Sequence, residues 1–491
     1  MHIGEFLREA KCCIRCLHRL SGKHNRANFV LRRADDAEHA NVKHGAELLQ
    51  NCQPVLQEEH KSESCPLCLG ILGDNFLSSC LNKIAKKMLE DGYDSDTFSL
   101  NAMIPNSIAI RQHSLYTYAK EKLRDEVWKQ EDVVSVKDAL KYGLTEKLEE
   151  KTRKKCDVKS DLRVTVVADY INDRKEVSAL MQCSKGSNSR KRKYGGKPSQ
   201  SISSIQTTLD EMKSVETLSK YADCPPQLPT ESCSLKDILC FQEAIYVAGR
   251  YNKYSRELSQ TPWIIDGTRK TESSVQELIC DKILQYFRAT DLKFISAGRE
   301  DVDVKMLGSG RPFAIELINS RRTKTSEEDV KELQISINSS TDMIAVNRLQ
   351  MIPKKDLTLL KEGEEHKIKL YRATVYAKNG VSDEKLESLQ NVKDLVISQK
   401  TPVRVLHRRP FAARSKTIHS ISAERIDQNH FALNLSTQAG TYIKEFVHGD
   451  FRRTCPSLGS LLETEVDILE LDVQEVELVW PPAKEEEERI F

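Results

Sequence analysis

The sequence predicts an α+β protein, and two observations carry that prediction. Along residues 235–491, amphipathic helices and short strands mix without the regular alternation that a parallel α/β fold requires. Helix caps and turn signals in this stretch fall between the strands at irregular spacing. In chain order, residues 1–75 carry paired cysteines. Residues 76–182 mix helical and strand signals, among them the lysine-rich 82–90 and the apolar run 162–168. Ser274 and Glu277 form a capping box before Leu278, Ile279, Ile283, Leu284 and Phe287, which predicts an amphipathic helix over 275–288. Segments 294–297, 302–307 and 313–319 read as short strands, the last two joined by a hairpin turn at Gly308-Ser309-Gly310. Ser326 caps a helix through about residue 337. Ile368–Ala377 is a strand by its length and β-branched content, and Phe431, Leu433 and Leu435 alternate on another. Gln438-Ala439-Gly440 turns the chain, and Ile443, Phe446 and Val447 start a helix that Gly449 can end.

The chain has 491 residues, which at roughly 150 per domain suggests about three domains. Hydrophobic residues are 39% and charged residues 30%, polar but sufficient for a core. No apolar run is long enough for a membrane-spanning helix, so no membrane partner is expected. The opening MHIGEFLREAKCC has no apolar core of a secretory signal. Fourteen cysteines in such a chain point to metal ligands or reduced thiols, not disulfides. The formal net charge is only +2, but basic residues cluster at 183–200 and again at 400–416, where Lys400, Arg404, Arg408, Arg409, Arg414 and Lys416 form a stripe. Local stripes of this kind suit a polyanion. The Gly/Ser/Lys-rich segment 183–200 and the proline-rich break at 224–234 divide the chain in three. Residues 1–182 form an accessory domain, residues 183–234 a basic linker and residues 235–491 the main domain. Residues 190–193 read equally as a nuclear-import signal or as solvated linker, so both cytoplasm and nucleus are expected compartments.

Cys13-Ile-Arg-Cys16 and Cys65-Pro-Leu-Cys68 are two C-x2-C knuckles separated by 48 residues. Four thiolates from two knuckles satisfy tetrahedral zinc, with a subdomain inserted between them and a structural rather than catalytic ion as the expectation. Cys12 adjoins the first pair and is the alternative ligand to Cys13.

The acidic loop Gly298-Arg299-Glu300-Asp301-Val302-Asp303 holds the densest chemistry. Its three carboxylates repel one another unless a cation is near, and Arg299 and Arg311 are the nearest candidates in sequence. A solvated acidic turn is the plain alternative. A metal-dependent nuclease is the sharper one, with Asp303 and Glu316 as a carboxylate pair, but the lysine such a core carries two residues after the glutamate is Ile318 here.

Three segments, 246–263 (YVAGRYNKYSRELSQTPW), 298–313 (GREDVDVKMLGSGRPF) and 440–450 (GTYIKEFVHGD), resemble the Pus-ten family of tRNA pseudouridine synthases from archaea and eukaryotes. The resemblance covers most of residues 240–480, and the cysteine knuckles resemble that family's accessory domain. It implies a synthase domain built on a mixed, mainly antiparallel sheet with flanking helices. It also implies a zinc-binding, THUMP-type RNA-binding domain ahead of it. The implied reaction isomerises uridine to pseudouridine in the T-arm of tRNA, with no cofactor for catalysis and with other structured RNA as a further partner. A monomer is the expected state. By motif position Asp301 is the essential carboxylate, attacking the ribose C1′ or removing the C2′ proton. Tyr371 matches the tyrosine that stacks on the target base, and Lys444 the basic residue that pairs with the aspartate. Arg299, Tyr442, Arg250, Lys253 and Arg404 are then expected in substrate binding. Arg256 would join them, with Tyr251, Tyr254 and Trp263 interleaved for base stacking. One departure stands out: Arg452 occupies a position where the motif leads one to expect glycine. The rival reading is a non-catalytic RNA-binding protein on a synthase scaffold.

Overall fold

The structure, a computed structural model, describes residues 3–21, 25–30, 64–124, 127–183, 201–362, 367–407 and 409–482. The basic cluster at 190–193 and Arg408 lie outside the described residues. The chain forms two units, Met1–Gln242 and Glu243–Phe491, each with its own sheet and core.

In the first unit, β1 (Thr97–Met103), β2 (Lys155–Cys156), β3 (Leu162–Asp169) and β4 (Ser234–Gln242) make a sheet in the order β2-β1-β3-β4. β1 runs parallel to β2 and β3, and β4 runs antiparallel to β3. The apolar run predicted around residue 165 is β3, where Leu162, Val164, Val166 and Ala168 are buried and Arg163 and Asp169 face water. That period of two marks a half-buried strand. The lysine-rich segment lies in the helix Asp74–Asp91, which buries Leu77, Cys80, Leu81 and Ile84 along one face and stops at Gly92 with φ +65°.

The expected boundary near residue 235 moves to 242/243, because β4 completes the first sheet. Some of the expected linker is also folded. Ser201 and Ser214 cap the helices Ile202–Glu211 and Val215–Leu218. Their Ile205, Leu209 and Leu218 pack with Ile110, Val177 and Leu180 into a small core.

The second unit is built on β5 (Ile245–Lys253), β8 (Asp291–Ser296), β9 (Lys305–Ile318), β10 (Ile344–Ile352), β11 (Ile368–Ala377), β12 (Lys393–Lys400), β13 (Ala413–Arg425), β14 (His430–Gln438), β15 (Thr454–Cys455) and β16 (Val466–Val476). The order is β10-β5-β9-β16-β11-β14-β13-β12-β15, with β8 pairing the far end of β9 on the edge opposite β5. Every pairing is antiparallel except that of β16 with β9. A small ribbon, β6 (Ile264–Ile265) with β7 (Thr268–Arg269), stands apart from this sheet. Helices Val275–Phe287 and Glu327–Asn338 bury Ile279, Ile283, Val330 and Leu333 in the same core. Both follow their predicted caps: Ser274 accepts from the Glu277 N–H, and Ser326 and Asp329 form a complete capping box.

The predicted hairpin at 308–310 is not one. β9 is a single strand that bends there, pairing with β5 on both sides of the bend across a register shift, with β16 before it and with β8 after it. The glycines serve close approach and bending: a Cβ at Gly308 would lie 2.0 Å from the Gln474 carbonyl oxygen, and Gly310 has φ +83° against the Tyr251 carbonyl.

Candidate active site

The loop between β8 and β9, residues 297–304, forms one wall of a cleft of about 650 Å³ in the second unit. Buried donors and acceptors fix this loop from behind. Arg311 Nη1 donates to the Ala297 carbonyl at 2.8 Å. Gln260 Nε2 and Ser296 Oγ both donate to the Gly298 carbonyl, at 2.9 and 2.8 Å. Glu300 turns inward to a fully buried ion pair with Arg311 (2.8 Å) and accepts from Tyr251 Oη at 3.0 Å. Lys253, wholly buried on β5, sends its ammonium to the carbonyls of Leu258 (2.8 Å), Asp301 (3.1 Å) and Val302 (2.7 Å). Burial pulls Lys253 down to about 8, against the pull of Glu300, Asp303 and Asp301. Gly298 has φ +85°, which strains any residue with a Cβ, and a Cβ there would sit 3.0 Å from Lys369 Nζ and 3.2 Å from Arg311 Nη1, so both cations would have to shift.

With Glu300 turned in, Asp301 and Asp303 turn out. Arg404 Nη1 donates to Asp301 Oδ2 at 2.8 Å, while Arg404 Nε donates to Glu445 Oε1 at 2.7 Å. Glu445 is 2% exposed, so a buried carboxylate orients the guanidinium that grips Asp301. Lys444, at the start of the helix Ile443–His448, lies 3.8 Å from Asp301 Oδ2 but 2.6 and 2.9 Å from the oxygens of Asp303. Its main partner is therefore Asp303, two residues beyond the expected one. Burial pushes Asp303 up, but the Lys444 hydrogen bond and charge outweigh it and hold the carboxyl below its usual range. Gln399 fixes the entry to this helix, its amide exchanging two 2.9 Å hydrogen bonds with the Tyr442 backbone.

Tyr371 sits on β11 opposite Leu435 and Val473, half-buried on the cleft floor. Burial pushes its hydroxyl up to about 12, with Arg311 opposing, so it stays protonated at ordinary pH. Arg299, exposed, lines the rim with Arg409, Arg414 and Lys416. The result is a concave, mostly cationic site with one carboxylate held by a guanidinium beside an aromatic ring. That arrangement suits a phosphate-bearing substrate whose base lies flat.

Comparison with known proteins agrees. The family model described as "Pus10, C-terminal" matches residues 246–477, and "Eukaryotic Pus10, N-terminal" matches residues 65–240. The tRNA pseudouridine synthase Pus10 of Homo sapiens is 41% identical over 430 residues, covering 85% of this chain and 79% of the relative. That of Mus musculus is 40% identical over 438 residues, covering 88% and 82%. An archaeal Pus10, from Thermofilum pendens, is 41% identical over 236 residues, 48% of this chain and 52% of the relative.

This chain belongs to the Pus10 family of tRNA pseudouridine synthases.

It is accordingly an isomerase, and the residues expected in a Pus10 site can be placed one by one. Asp301, Tyr371, Lys444, Arg299, Tyr442 and Arg404 all line the cleft. Arg250 and Lys253 do not. Arg250 is 2% exposed and donates to the carbonyls of Gly310, Val476, Leu478 and Trp480, tying β5 to the chain after β16. Its place is structural, and Lys253 acts on the loop backbone from beneath. Tyr251 is likewise buried, and Arg256 pairs with Asp472 at 2.8 Å. Glu445 escapes sequence reasoning: an acid beside Lys444 on a short helix reads as solvated.

In the first unit of this Pus10 chain, Cys13, Cys16, Cys65 and Cys68 bring their sulfurs within 4.8 Å of one another. Cys13 and Cys68 are 3.7 Å apart, close to the edge of about 3.8 Å that a tetrahedron with ~2.3 Å Zn–S bonds requires. The donor set fits zinc. Burial pushes the Cys65 thiol up, but hydrogen bonds from the neighbouring cysteines outweigh it and hold it well below the usual thiol value. Arg19, 0% exposed, points Nε at Cys16 Sγ (3.4 Å) and supplies the buried positive charge that four thiolates need. Among the described residues this is the sole group of three or more side chains able to hold a metal ion, and Asp303 is paired with Lys444. Glu316 instead accepts from Tyr246 Oη at 3.1 Å.

Proposed function

We propose that this enzyme isomerises uridine in the T-arm of tRNA, with the Asp301 carboxylate as the essential group. One observation carries the reading: Asp301 is held by Arg404 at the wall of a cationic cleft whose floor presents the Tyr371 ring. A uridine flipped out of its stack would lie on Tyr371 with its ribose toward Asp301. Two routes are open to that carboxylate, attack at C1′ or removal of the C2′ proton. In both, the N1–C1′ bond breaks, the uracil turns and C5 bonds to C1′, which releases the Asp301–C1′ bond in the first route and is accompanied by return of the proton to C2′ in the second; the C5 proton then leaves while N1 gains one. Arg404 holds Asp301 and aims it into the cleft, and Lys444 with Asp303 closes the other side. Arg299, Arg409, Arg414 and Lys416 would take phosphates.

The reaction requires no cofactor. Cys13, Cys16, Cys65 and Cys68 would hold a structural zinc ion, whose contribution is to fold the first unit, and that unit would serve as the THUMP-type RNA-binding accessory. A monomer suffices for this scheme, since every proposed catalytic group comes from one chain.

The test is an unmodified tRNA transcript incubated with the protein, followed by carbodiimide mapping of pseudouridine. Modification confined to the T-arm is expected. Modification elsewhere would overturn the T-arm assignment, and tight binding without modification would favour a non-catalytic role.

A further inference from the structure

The helix Ile443–His448 starts in the cleft and ends in an unusual turn. Gly449, Asp450, Phe451 and Arg452 all have positive φ, at +79°, +44°, +55° and +64°. Left-handed backbone is unfavourable for a residue with a Cβ, and it normally occurs as single residues. Three successive non-glycine residues adopt it here. The surroundings hold them in place. The Arg453 N–H donates to the carbonyls of Gly449 and Asp450, both at 3.0 Å, and the Thr454 N–H donates to Gly449 at 3.1 Å. Asp450, 6% exposed, donates its backbone N–H to His448 Nδ1 at 3.0 Å.

What this constrained turn displays is Phe451, 91% exposed. A second ring, Phe411, is 69% exposed and lies under the Arg453 guanidinium, 5.5 Å from the ring centroid. Phe411 falls in sequence between Arg409 and Arg414, both on the cleft rim. Among the described residues these two rings, interleaved with arginines and one of them presented by a strained turn, stay largely open to solvent.

We propose that Phe411 and Phe451, with Arg453 and Arg452, form a stacking platform outside the cleft for unpaired bases of the RNA substrate. The occupant follows from chemistry and place. Every nucleobase offers a face to an aromatic ring, arginine adds a cation for the phosphate, and the same chain segments line the site that receives the target nucleotide. The proposal rests on tRNA being the substrate and extends it to bases flanking the reacting one.

Binding of two RNAs tests it: the unmodified tRNA transcript and a blunt duplex with every base paired. Phe411→Ala and Phe451→Ala should each weaken transcript binding about tenfold, the scale of one lost stacking contact, and leave duplex binding unchanged. Phe411→Tyr and Phe451→Tyr should restore it. The slope of log affinity against log salt should stay at the wild-type value in all four, since no phosphate contact is lost, whereas Arg452→Ala should reduce it. Unchanged affinity for both RNAs would overturn the proposal and assign the patch to a protein surface. Equal losses on both RNAs would overturn it as well. Wild-type protein that binds the transcript but leaves its uridines unconverted would contradict the catalytic reading, while the binding comparison would still decide the platform.

Discussion

At the scale of single residues, the site depends on how its charges share a small space. Glu300 is neutralised from below by Arg311, Asp303 by Lys444, and Asp301 by Arg404, which leans on buried Glu445. Glu445→Gln keeps the shape but removes the charge that holds Arg404. It should lower the single-turnover rate about tenfold, equivalent to about 1.4 kcal/mol, with little change in tRNA affinity. A loss of affinity alone would place Glu445 in binding instead. Asp303 gives a pH signature. Its folded-state value is depressed, so its contribution to stability is present above the unfolded value of 3.8 and is lost as pH falls through the lower folded one. The urea midpoint of Asp303→Asn should therefore lie below wild type at about pH 5–8, and the gap should close on acidification below about pH 4.

At the scale of elements, the loop 297–304 is rigid because its carbonyls have buried donors. Lys253→Met would leave the Asp301 and Val302 carbonyls without their ammonium donor. A loss of about 3 kcal/mol in unfolding free energy is expected, since bonds to charged groups contribute about 1.5–3 kcal/mol each and are not additive. Turnover should fall with it, as measured by denaturation and a rate assay on the same preparation. Local elements are readable from sequence: β11 has its predicted bounds, and both capped helices start at the residues that cap them. Such signals live within one element. The Gly308-Ser309-Gly310 bend is not readable in this way, because a hairpin and a strand bent between two partners look alike until β16 is placed. Arg250 and Lys253 resist sequence reading for a related reason. Their acceptors are backbone carbonyls, and for Arg250 one lies 226 positions away. Carbonyls leave no trace in side-chain patterns.

At the scale of the whole molecule, the two units have separate cores, and the thiol cluster belongs to the first alone. Chelation of zinc by a strong competitor should lower the melting transition of the first unit and leave that of the second in place. Arg19→Met should weaken metal retention in the same titration, because it removes the buried positive charge beside Cys16. A single transition shifting as one would contradict independent cores. The motifs carrying the family resemblance lie almost wholly in the second unit, so its chemistry is legible in the sequence. The extent of the first unit is not, since β4 joins its sheet after a long Ser/Lys-rich interruption.

The central claim is that Asp301 performs the isomerisation without metal. It is tested most directly by incubating wild type and Asp301→Ala with unmodified tRNA transcript in EDTA and measuring pseudouridine. Conversion by wild type alone, with the variant still binding the RNA, is the predicted result. Conversion by the variant, or conversion by wild type only when magnesium, which does not refill a thiolate site, is restored, would contradict the account.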